Sequence, residues 1–278
     1  MPEKGKLFVC ATPIGNLGDI TLRVLDTLRA VDLIAAEDTR HSRKLLQHYE
    51  IETPLTSYHE HNEKGKARSL LARLRAGQQI ALISDAGMPG ISDPGAEIIS
   101  LCYEEQIAVD VLPGANAALT GLVLSGLPAE RFAFVGFLPA AAAERRRELE
   151  KFVRLPLTLV FYEAPHRLAE SLTDMLAALG ERQAAVVREL TKVYQTVHRG
   201  TLKSLAEDFS ENPPRGECCV FVEPCTPEVR AGGPAEWRRE VEARMALGLS
   251  PQEAMKEVAK DYGTSKREVY RAVLAGKR

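Results

Sequence analysis

The chain has 278 residues, of which 45% are hydrophobic and 27% are charged. These fractions are typical of globular proteins and exclude disordered, collagen-like and coiled-coil chains. The length fits two domains with a small appendage. Because the formal net charge is only −2, overall charge attracts no nucleic acid, and binding to RNA or DNA would need a local basic patch.

The sequence contains no run of the roughly 18 apolar residues that a membrane span needs, and its first apolar stretch is too short for a signal peptide. A cytoplasmic protein is therefore predicted. The five cysteines lack the CxxC spacing of metal sites and lie mostly in apolar runs. They are predicted to be reduced, buried thiols rather than disulfides or zinc ligands, and no metal site is expected.

Short apolar runs alternate with amphipathic segments from residue 7 to residue 222, which predicts the α/β class. The nine predicted strands are residues 7–11, 33–36, 80–84, 108–112, 132–135, 158–162, 184–189, 196–198 and 218–222. The predicted helices between them are residues 22–30, 42–49, 64–75, 96–105, 115–125, 144–153, 165–179 and 202–209. Nine strands are enough for two sheets, and helical crossovers predict parallel pairing.

Two breaks in the pattern suggest three parts, at residues 1–138, 139–224 and 235–278. At the first break Pro139 is followed by four alanines and then by a charged run. A long loop inside a single domain is the alternative, because α/β domains of roughly 200–250 residues are common. The second break, residues 224–234, contains three prolines and two glycines and has no periodic pattern.

The last part reads as a small helical module. Ser250 with Glu253, and Ser265 with Glu268, have the spacing of capping boxes, which predicts two short helices joined by a turn at Gly263 and ending before Gly276. From residue 237 onward the charges are 10 Lys or Arg against 6 Asp or Glu, a net +4, whereas the preceding residues carry 26 against 32, a net −6.

The start of the final predicted helix carries three cations, Lys266, Arg267 and Arg271. A helix-turn-helix would place phosphate-contacting residues there. An ordinary solvated helical hairpin is the alternative.

Three predicted strands run directly into loops of Gly, Pro, Asp and Asn. The loops read TPIGNLGDIT from residue 12, SDAGMPGISDPG from residue 84 and PGANA from residue 113. Each could be a tight turn, but together they predict one ligand pocket at the carboxyl ends of the strands, where glycines let backbone groups approach a small molecule. No GxGxxG, GxxxxGK[ST], GxSxG or HExxH motif accompanies them, so dinucleotide, P-loop, hydrolase and zinc-protease functions lack support.

The chain resembles the tetrapyrrole methylase superfamily of S-adenosylmethionine-dependent methyltransferases across nearly all of residues 7–222. The matching strings are TPIGNLGDIT, AAEDTRHSRKLL, HEHNE, SDAGMPGISDPG, LPGANAAL, SGLP, GFLP, FYEAPHRL, RELTK and RGE. The first loop lacks the glycine-proline-glycine-aspartate pattern of the small-molecule members and favours an RNA-modifying branch. That branch methylates the ribose 2′-oxygen of a decoding-centre cytidine in 16S rRNA.

The resemblance implies a homodimer of chains with two α/β domains of the tetrapyrrole methylase type, a small C-terminal helical module, and S-adenosylmethionine in the cleft between the domains. It also implies that Pro13 and Gly15 close the floor of the site on the substrate side. By motif, the residues expected to bind the cofactor are Pro13, Ser84, Asp85, Ala86, Gly87, Met88, Gly114, Ala115, Asn116, Ala117, Tyr162 and Leu190.

Methyl transfer to a ribose hydroxyl needs in-line positioning and a side chain that accepts the hydroxyl proton. The candidate catalytic residues are Asp38, Arg40, His59 and Glu60, from the EDTRH and HEH strings. Capping of a helix by Asp38 with an ion pair to Arg40 is the alternative for that pair, and solvated imidazoles are the alternative for His59 and His61.

Basic side chains outside the tail are candidates for gripping RNA phosphates. They are Arg40, His166, Arg167 and the triplet 145–147. The alternatives are an i, i+4 pair between Glu163 and Arg167 and a solvated helix face for the triplet.

Three functions follow from these observations. The first is ribose methylation of 16S rRNA in an assembled or partly assembled small subunit, because a cytidine in folded RNA must be splayed out to reach a cleft. The second is a C-methyltransferase acting on a tetrapyrrole precursor. The third is a non-enzymatic RNA-binding protein that uses the helical tail.

Overall fold

A computed structural model describes residues 4–225 and 231–275 of the chain. The described part divides into two compact units, one of residues 4–153 with 157–224, the other of residues 154–156 with 225 and 231–275. The first unit contains two five-stranded sheets and the second contains helices only. Within the described ranges, no helix combines the length and the apolar character that crossing a bilayer requires.

The first sheet has the strand order β3-β2-β4-β1-β5, and every pairing in it is parallel. Its strands are β1 (Lys6–Cys10), β2 (Leu33–Ala36), β3 (Leu55–Ser57), β4 (Ile80–Ile83) and β5 (Ala108–Leu112). The helices that connect them are α1 (Leu22–Ala30), α2 (Thr39–His48), α3 (Glu63–Arg75) and α4 (Ala96–Glu104).

Both faces of this sheet are buried by helices, and the central strands are apolar on both faces for that reason. Leu82 of β4 belongs to the core on the side of α3 and α4, while its neighbour Ile83 belongs to the core on the side of α1 and α2. Strand β3 was not predicted, because its three half-buried residues form too short a run to stand out from the flanking loop.

The second sheet has the order β6-β7-β10-β8-β9. Its strands are β6 (Phe132–Phe137), β7 (Thr158–Glu163), β8 (Gln183–Arg188), β9 (Thr196–Thr201) and β10 (Cys218–Val222). One face is covered by α5 (Ala117–Ser125), and the other by α6 (Ala142–Glu150), α7 (Leu168–Leu179) and α8 (Leu202–Glu211).

The prediction of parallel pairing is right for the first sheet and for β6 with β7, and wrong for the rest of the second sheet. There β10 pairs antiparallel with both β7 and β8, and β8 pairs antiparallel with β9. The helical crossovers α7 and α8 do join strands that run in the same direction. However, β10 inserts in the opposite direction between β7 and β8, and β8 reaches β9 through a turn without a helix, which permits an antiparallel pair.

The chain passes from the first sheet to the second before residue 132. Strand β6 already belongs to the second sheet, and α5 packs on that sheet too. This transition precedes the predicted boundary at residue 138, and the three-part domain division stays a prediction. The α/β class itself, with two sheets and a helical tail, is confirmed.

The second unit contains three helices, α9 (Pro234–Ala246), α10 (Pro251–Asp261) and α11 (Lys266–Ala275). Both predicted capping boxes are present: Glu253 and Glu268 each accept from the main-chain N–H of the serine three residues before, at 3.1 and 2.9 Å. The prediction of two helices missed α9, which buries only Val241 and so has a weak amphipathic pattern. Gly276, expected to end the last helix, lies outside the described residues.

All five cysteines are free thiols, as predicted. Four of them are buried and Cys225 is half-buried.

Candidate active site

The three glycine- and proline-rich loops lie at one edge of the first sheet. They follow β1, β4 and β5, which are neighbours and run parallel. The main chains of Thr12 and Gly87 exchange two hydrogen bonds, and the Thr12 hydroxyl donates to the carbonyl of Ser84 at 3.1 Å. The first two loops therefore form one connected surface at the carboxyl ends of the strands, where open α/β sheets bind ligands.

A cavity of about 390 Å³, called here the first cavity, lies between these loops and the second sheet. Its volume lies within the ~300–1,000 Å³ of small-molecule sites. All three loops contribute to its wall, as the sequence predicted. The described residues that line it are Ile14, Glu37, Asp85, Ala86, Gly87, Met88, Ile91, Ser92, Asp93, Asn116, Ala117, Phe137, Tyr162, Glu163, Ala164, Pro165, Val187, Leu190, Glu217, Cys218 and Cys219.

Most of the residues expected to bind the cofactor lie on the first cavity. These are Asp85, Ala86, Gly87, Met88, Asn116, Ala117, Tyr162 and Leu190. Pro13 lines a neighbouring cavity instead, and Ser84 is buried, with its hydroxyl 3.5 Å from the carbonyl oxygens of Ala86 and Gly87. Gly114 and Ala115 are outside the described lining. The binding roles of all twelve stay predictions.

Carboxyl groups from both sheets surround the first cavity. Glu37 follows β2, Asp85 and Asp93 belong to the loop after β4, and Glu217 lies in the turn before β10. Glu163 of β7 also lines the cavity, but its buried carboxyl accepts hydrogen bonds from Ser171 and the Ala164 N–H and pairs with Arg167. The loops after β2 and β4 hold each other, since Glu37 accepts from the Asp85 main-chain N–H at 3.2 Å and Asp85 accepts from the Asp38 N–H at 3.1 Å. The lining therefore favours a cationic ligand over a phosphorylated one.

The protonation of two of these carboxyls is strongly affected by their surroundings. Burial, with the nearby charges of Glu37 and Asp85, raises the pKa of Asp93 to about 7. Burial also raises the pKa of Glu37. A cation bound in the cavity would stabilise the ionised forms of both groups.

The opposite wall is aromatic and apolar. The Tyr162 ring meets Phe134 and Phe137 edge to face, with centroids 4.9 and 5.6 Å apart. Val187 and Leu190 extend this surface. Such a wall suits a flat heterocyclic ring.

A second cavity of about 490 Å³ adjoins the first and shares Ile14, Asp85, Ala86 and Glu217 with it. Its other described lining residues are Pro13, Gly15, Leu17, His41, Lys44, Leu45 and Lys192. Three of them, His41, Lys44 and Lys192, are basic. Lys192 is held by Glu189 and Glu217, at 3.0 and 2.9 Å, and these carboxylates raise its pKa.

The four candidate catalytic residues are outside the described lining of both cavities. Asp38 caps α2 by accepting from the Arg40 main-chain N–H, and its carboxylate pairs with the Arg40 guanidinium, both at 2.8 Å. That pairing holds the pKa of Asp38 well below its usual range. The His59 ring lies 3.1 Å from the Asn62 side-chain amide, and Glu60 is exposed. The capping alternative therefore describes the contacts of Asp38 and Arg40, and the catalytic roles stay predictions.

The basic triplet is not a uniform solvated face, because Arg145 is 2% exposed. Its Nε donates to Asp174 at 2.7 Å and its Nη1 to the Ala140 carbonyl at 3.1 Å. The expectation that Arg145 offers its charge to RNA is therefore wrong, since the helix turns this side chain into the core. Arg146 and Arg147 are exposed.

Arg167 was expected to bind RNA phosphates, but its guanidinium is directed into the protein. Its guanidinium donates to the carbonyls of Leu138 and Pro139, at 2.8 and 3.0 Å, and lies 3.4 Å from the buried Glu163. The alternative of an i, i+4 pair with Glu163 is confirmed.

Several lining residues were not singled out from the sequence as members of the site. They are Asp93, Phe137, Glu217, Cys218, Cys219, Lys44 and Lys192. Asp93 stands within the quoted SDAGMPGISDPG string and Glu217 within RGE, so the motifs indicated the segments of the site without these individual residues. The cysteines gave no signal beyond that of a buried strand.

Comparison with known proteins identifies the class. The family model of tetrapyrrole (corrin/porphyrin) methylases matches residues 6–206. Among solved structures, uroporphyrin-III C-methyltransferase from Thermus thermophilus complexed with S-adenyl homocysteine superposes with a TM-score of 0.58 at 20% identity, covering 79% of this chain and 97% of that one. A cobalt precorrin-4 methyltransferase superposes with a TM-score of 0.60 at 16% identity, covering 78% and 94%. These two likenesses concern the fold.

The chain belongs to the tetrapyrrole methylase family of S-adenosylmethionine-dependent methyltransferases and, within it, to the group of ribosomal RNA small subunit methyltransferases I. The member from Synechocystis sp. is 48% identical over 272 residues, covering 97% of this chain and 98% of the relative. The member from Bacillus subtilis is 46% identical over 275 residues, covering 97% and 94%. The member from Pseudomonas aeruginosa is 51% identical over 221 residues, covering 78% of each chain.

The residues of the first cavity fit S-adenosylmethionine. The carboxyls of Glu37, Asp85 and Asp93 match its positive charges, and the wall at Tyr162 and Leu190 offers an apolar surface to its adenine. Gly87 lines the same cavity, and a Cβ there would lie 3.4 Å from the Ile14 side chain, which also lines it.

Proposed function

We propose that the chain transfers the methyl group of S-adenosylmethionine to the ribose 2′-oxygen of a cytidine in the decoding centre of 16S rRNA. The observation that carries the proposal is the carboxyl-rich first cavity, which suits a sulfonium donor, in a chain 48% identical to a ribosomal RNA small subunit methyltransferase I over 97% of its length. The particular cytidine and the 2′-oxygen come from the resemblance of the sequence motifs.

When bound, S-adenosylmethionine supplies a methyl group on a cationic sulfur. The chain's own contribution is to hold the acceptor hydroxyl in line with that group, which is the larger part of the rate enhancement. The carboxylates of Glu37 and Asp85 balance the positive charge in the first cavity. Tyr162 and Leu190 exclude water from one side.

The hydroxyl must also lose its proton. Among the described carboxyls of the first cavity, Asp93 is the best acceptor, because a pKa of about 7 matches a base that works near neutral pH. The groups facing Asp93 are Ser84, Glu37 and Asp85 on its own side and Tyr162 on the second sheet. Asp38, Arg40, His59 and Glu60 are the alternatives from the sequence.

RNA binding is assigned to local basic groups, because the first 236 residues carry a net −6. Lys266, Arg267 and Arg271 are exposed on α11, at the position that the sequence predicted for phosphate contacts. We place the reaction in the cytoplasm, on an assembled or partly assembled small subunit. Contacts to phosphates predict that binding to the subunit weakens steeply with salt.

A homodimer is part of the proposal. Large apolar side chains are exposed on α5 and on the turn between β8 and β9, where Val123 is 78% and Val193 is 94% exposed. Covering such residues is what an isologous interface would do. Sedimentation of the wild type and of Val123→Glu tests this: the wild type should sediment as a dimer and the variant as a monomer.

The function is tested by offering labelled S-adenosylmethionine with purified 30S particles or with uroporphyrinogen. We expect label in the 16S rRNA of 30S particles and none in uroporphyrinogen. Mapping ribose methylation of 16S rRNA from strains with and without the chain then locates the nucleotide. Label in uroporphyrinogen alone would establish the tetrapyrrole function instead.

A further inference from the structure

The second cavity has a basic side that the methyl donor does not need. His41 and Lys44 stand one turn apart on α2, three residues from each other, so they share a face of the helix. Both side chains line the cavity, and within residues 4–225 and 231–275 neither forms a hydrogen bond or an ion pair. Two adjacent donors without a protein partner are therefore available to a ligand.

Apart from Lys192 and Gly15, the other residues of the second cavity are apolar or shared with the first cavity. Pro13, Leu17 and Leu45 give it apolar surface, whereas Asp85 and Glu217 stand between it and the first cavity. A ligand that fits must have an apolar or flat part, must carry negative charge at the side of α2, and must lie next to the methyl donor. A nucleotide within an RNA strand has all three properties.

We propose that the second cavity holds the acceptor nucleotide and that Lys44, with His41, binds a backbone phosphate flanking the methylated ribose. The inference rests on the proposed function and adds to it the side chains that place the ribose. Lys44 is a positioning residue here, because its contact fixes the strand while the reacting oxygen lies toward the first cavity, which Asp93 lines. Pro13, expected on the substrate side of the site, lines this same cavity.

Lys192 has a different part in the same cavity. Its ammonium is already held by Glu189 and Glu217, so its charge is largely balanced within the protein. Lys44 forms no such ion pairs with the described residues. Replacing Lys44 therefore removes the proposed phosphate contact without breaking interactions that hold the site together.

The test compares Lys44→Gln, the conservative Lys44→Arg, and Arg43→Gln as a matched control. Arg43 is also exposed on α2 but is outside the described lining of both cavities, so its variant removes the same charge from a neighbouring position. Binding of each protein to purified 30S particles is measured over a range of salt concentrations, together with KM and kcat for methyl transfer. Calorimetry with S-adenosylmethionine checks the first cavity independently.

We expect Lys44→Gln to raise KM for 30S particles about tenfold. It should also reduce the slope of log affinity against log salt concentration by about one. Affinity for S-adenosylmethionine should be unchanged, and Lys44→Arg should restore most of the loss. Arg43→Gln should alter neither KM nor the slope.

The inference is overturned if Lys44→Gln behaves as the wild type, or if Arg43→Gln reduces the slope equally, since a general charge effect would then be at work. Failure of the proposed function gives a different result, because the wild type itself would then leave 30S particles unmethylated.

Discussion

Thr12 and Gly87 exchange two main-chain hydrogen bonds, of 2.8 and 3.0 Å, and so join the loop after β1 to the loop after β4. Gly87 has a φ of +83°, in the left-handed region. A Cβ at this position would lie 3.4 Å from the Ile14 side chain and 3.8 Å from the Ala115 carbonyl oxygen. This left-handed conformation, which glycine adopts without strain, is therefore located where three loops meet at the first cavity.

Replacing Gly87 with alanine should lower the free energy of unfolding by about 1–2 kcal/mol, because an L-residue is disfavoured at this φ. Affinity for S-adenosylmethionine should fall as well, since the second loop can relieve the strain only by shifting. Denaturant unfolding and calorimetry measure the two effects. Gly65→Ala is the control: a Cβ there meets no atom within 4 Å and lies in α3, so stability should rise, by up to about 1 kcal/mol. An equal change in the free energy of unfolding of the two variants would contradict the role of φ at Gly87.

The proton-acceptor role of Asp93 predicts a pH profile. For the wild type, kcat/KM should increase as pH rises through about 7, since the carboxylate must be ionised to accept the proton. Asp93→Asn should lower kcat about 100-fold or more and remove this limb of the profile. Asp38→Asn, which keeps a helix-capping side chain, should leave both nearly unchanged. If Asp38→Asn lowered kcat and removed this limb while Asp93→Asn did not, the proton acceptor would be Asp38, as the sequence motifs suggested.

The same carboxyl should also affect stability in the absence of any ligand. Its folded-state pKa is raised from 3.8 to about 7, so Asp93 contributes stability that is fully present below pH 3.8 and is lost as pH rises through about 7. Asp93→Asn should therefore unfold at a higher temperature than the wild type above pH 7, and the difference should disappear in acid. Thermal unfolding of both proteins across this pH range measures it. A wild type more stable than the variant at high pH would mean that Asp93 has a cationic partner.

Breaking the buried pair of Arg145 with Asp174 should be costly. Arg145→Met leaves the Asp174 carboxylate without its closest partner and should lower the free energy of unfolding by about 3–5 kcal/mol. The double variant Arg145→Met with Asp174→Leu should recover much of this loss, because no buried charge is left unpaired. Arg147→Met removes an exposed arginine of the same helix and should change stability little. If Arg147→Met lowered the free energy of unfolding as much as Arg145→Met, the loss would come from a change in the whole of α6 and not from the buried pair.

The strands of the first sheet were predictable because burial on both faces makes them continuous apolar runs. Residues 33–36 and 80–83 are LIAA and IALI, and all eight are buried. The insertion of β10 between β7 and β8 was not predictable, since strand order depends on contacts between distant residues and not on local pattern. Arg145 was misread for the same reason: a run of three arginines reads as solvated, and only the packing of α6 on α7 buries one of them.

The sequence predicted which loops form the site, but not which side chains face its cavity. The three loops do meet, because their strands are parallel neighbours. Which aspartate faces the cavity depends on turn geometry: Ser92 adopts a φ of +62°, an uncommon conformation for serine, and Asp93 follows it. Asp38 is instead engaged in capping α2. Residue type and spacing gave capping by Asp38 only as one of two alternatives, and they gave no indication that Asp93 faces the cavity.

The thiols give a prediction that depends on burial. Burial raises the pKa of Cys102 to about 11 and those of Cys10, Cys218 and Cys219 to about 12, so these four are protonated and shielded at neutral pH. Alkylation of the folded protein should therefore modify half-buried Cys225 first, because the thiolate is the reactive form and access limits the others. Mass spectrometry of digested protein identifies the sites, and labelling in denaturant should modify all five. Labelling of Cys218 or Cys219 as rapid as that of Cys225 would mean that the first cavity admits solvent to β10.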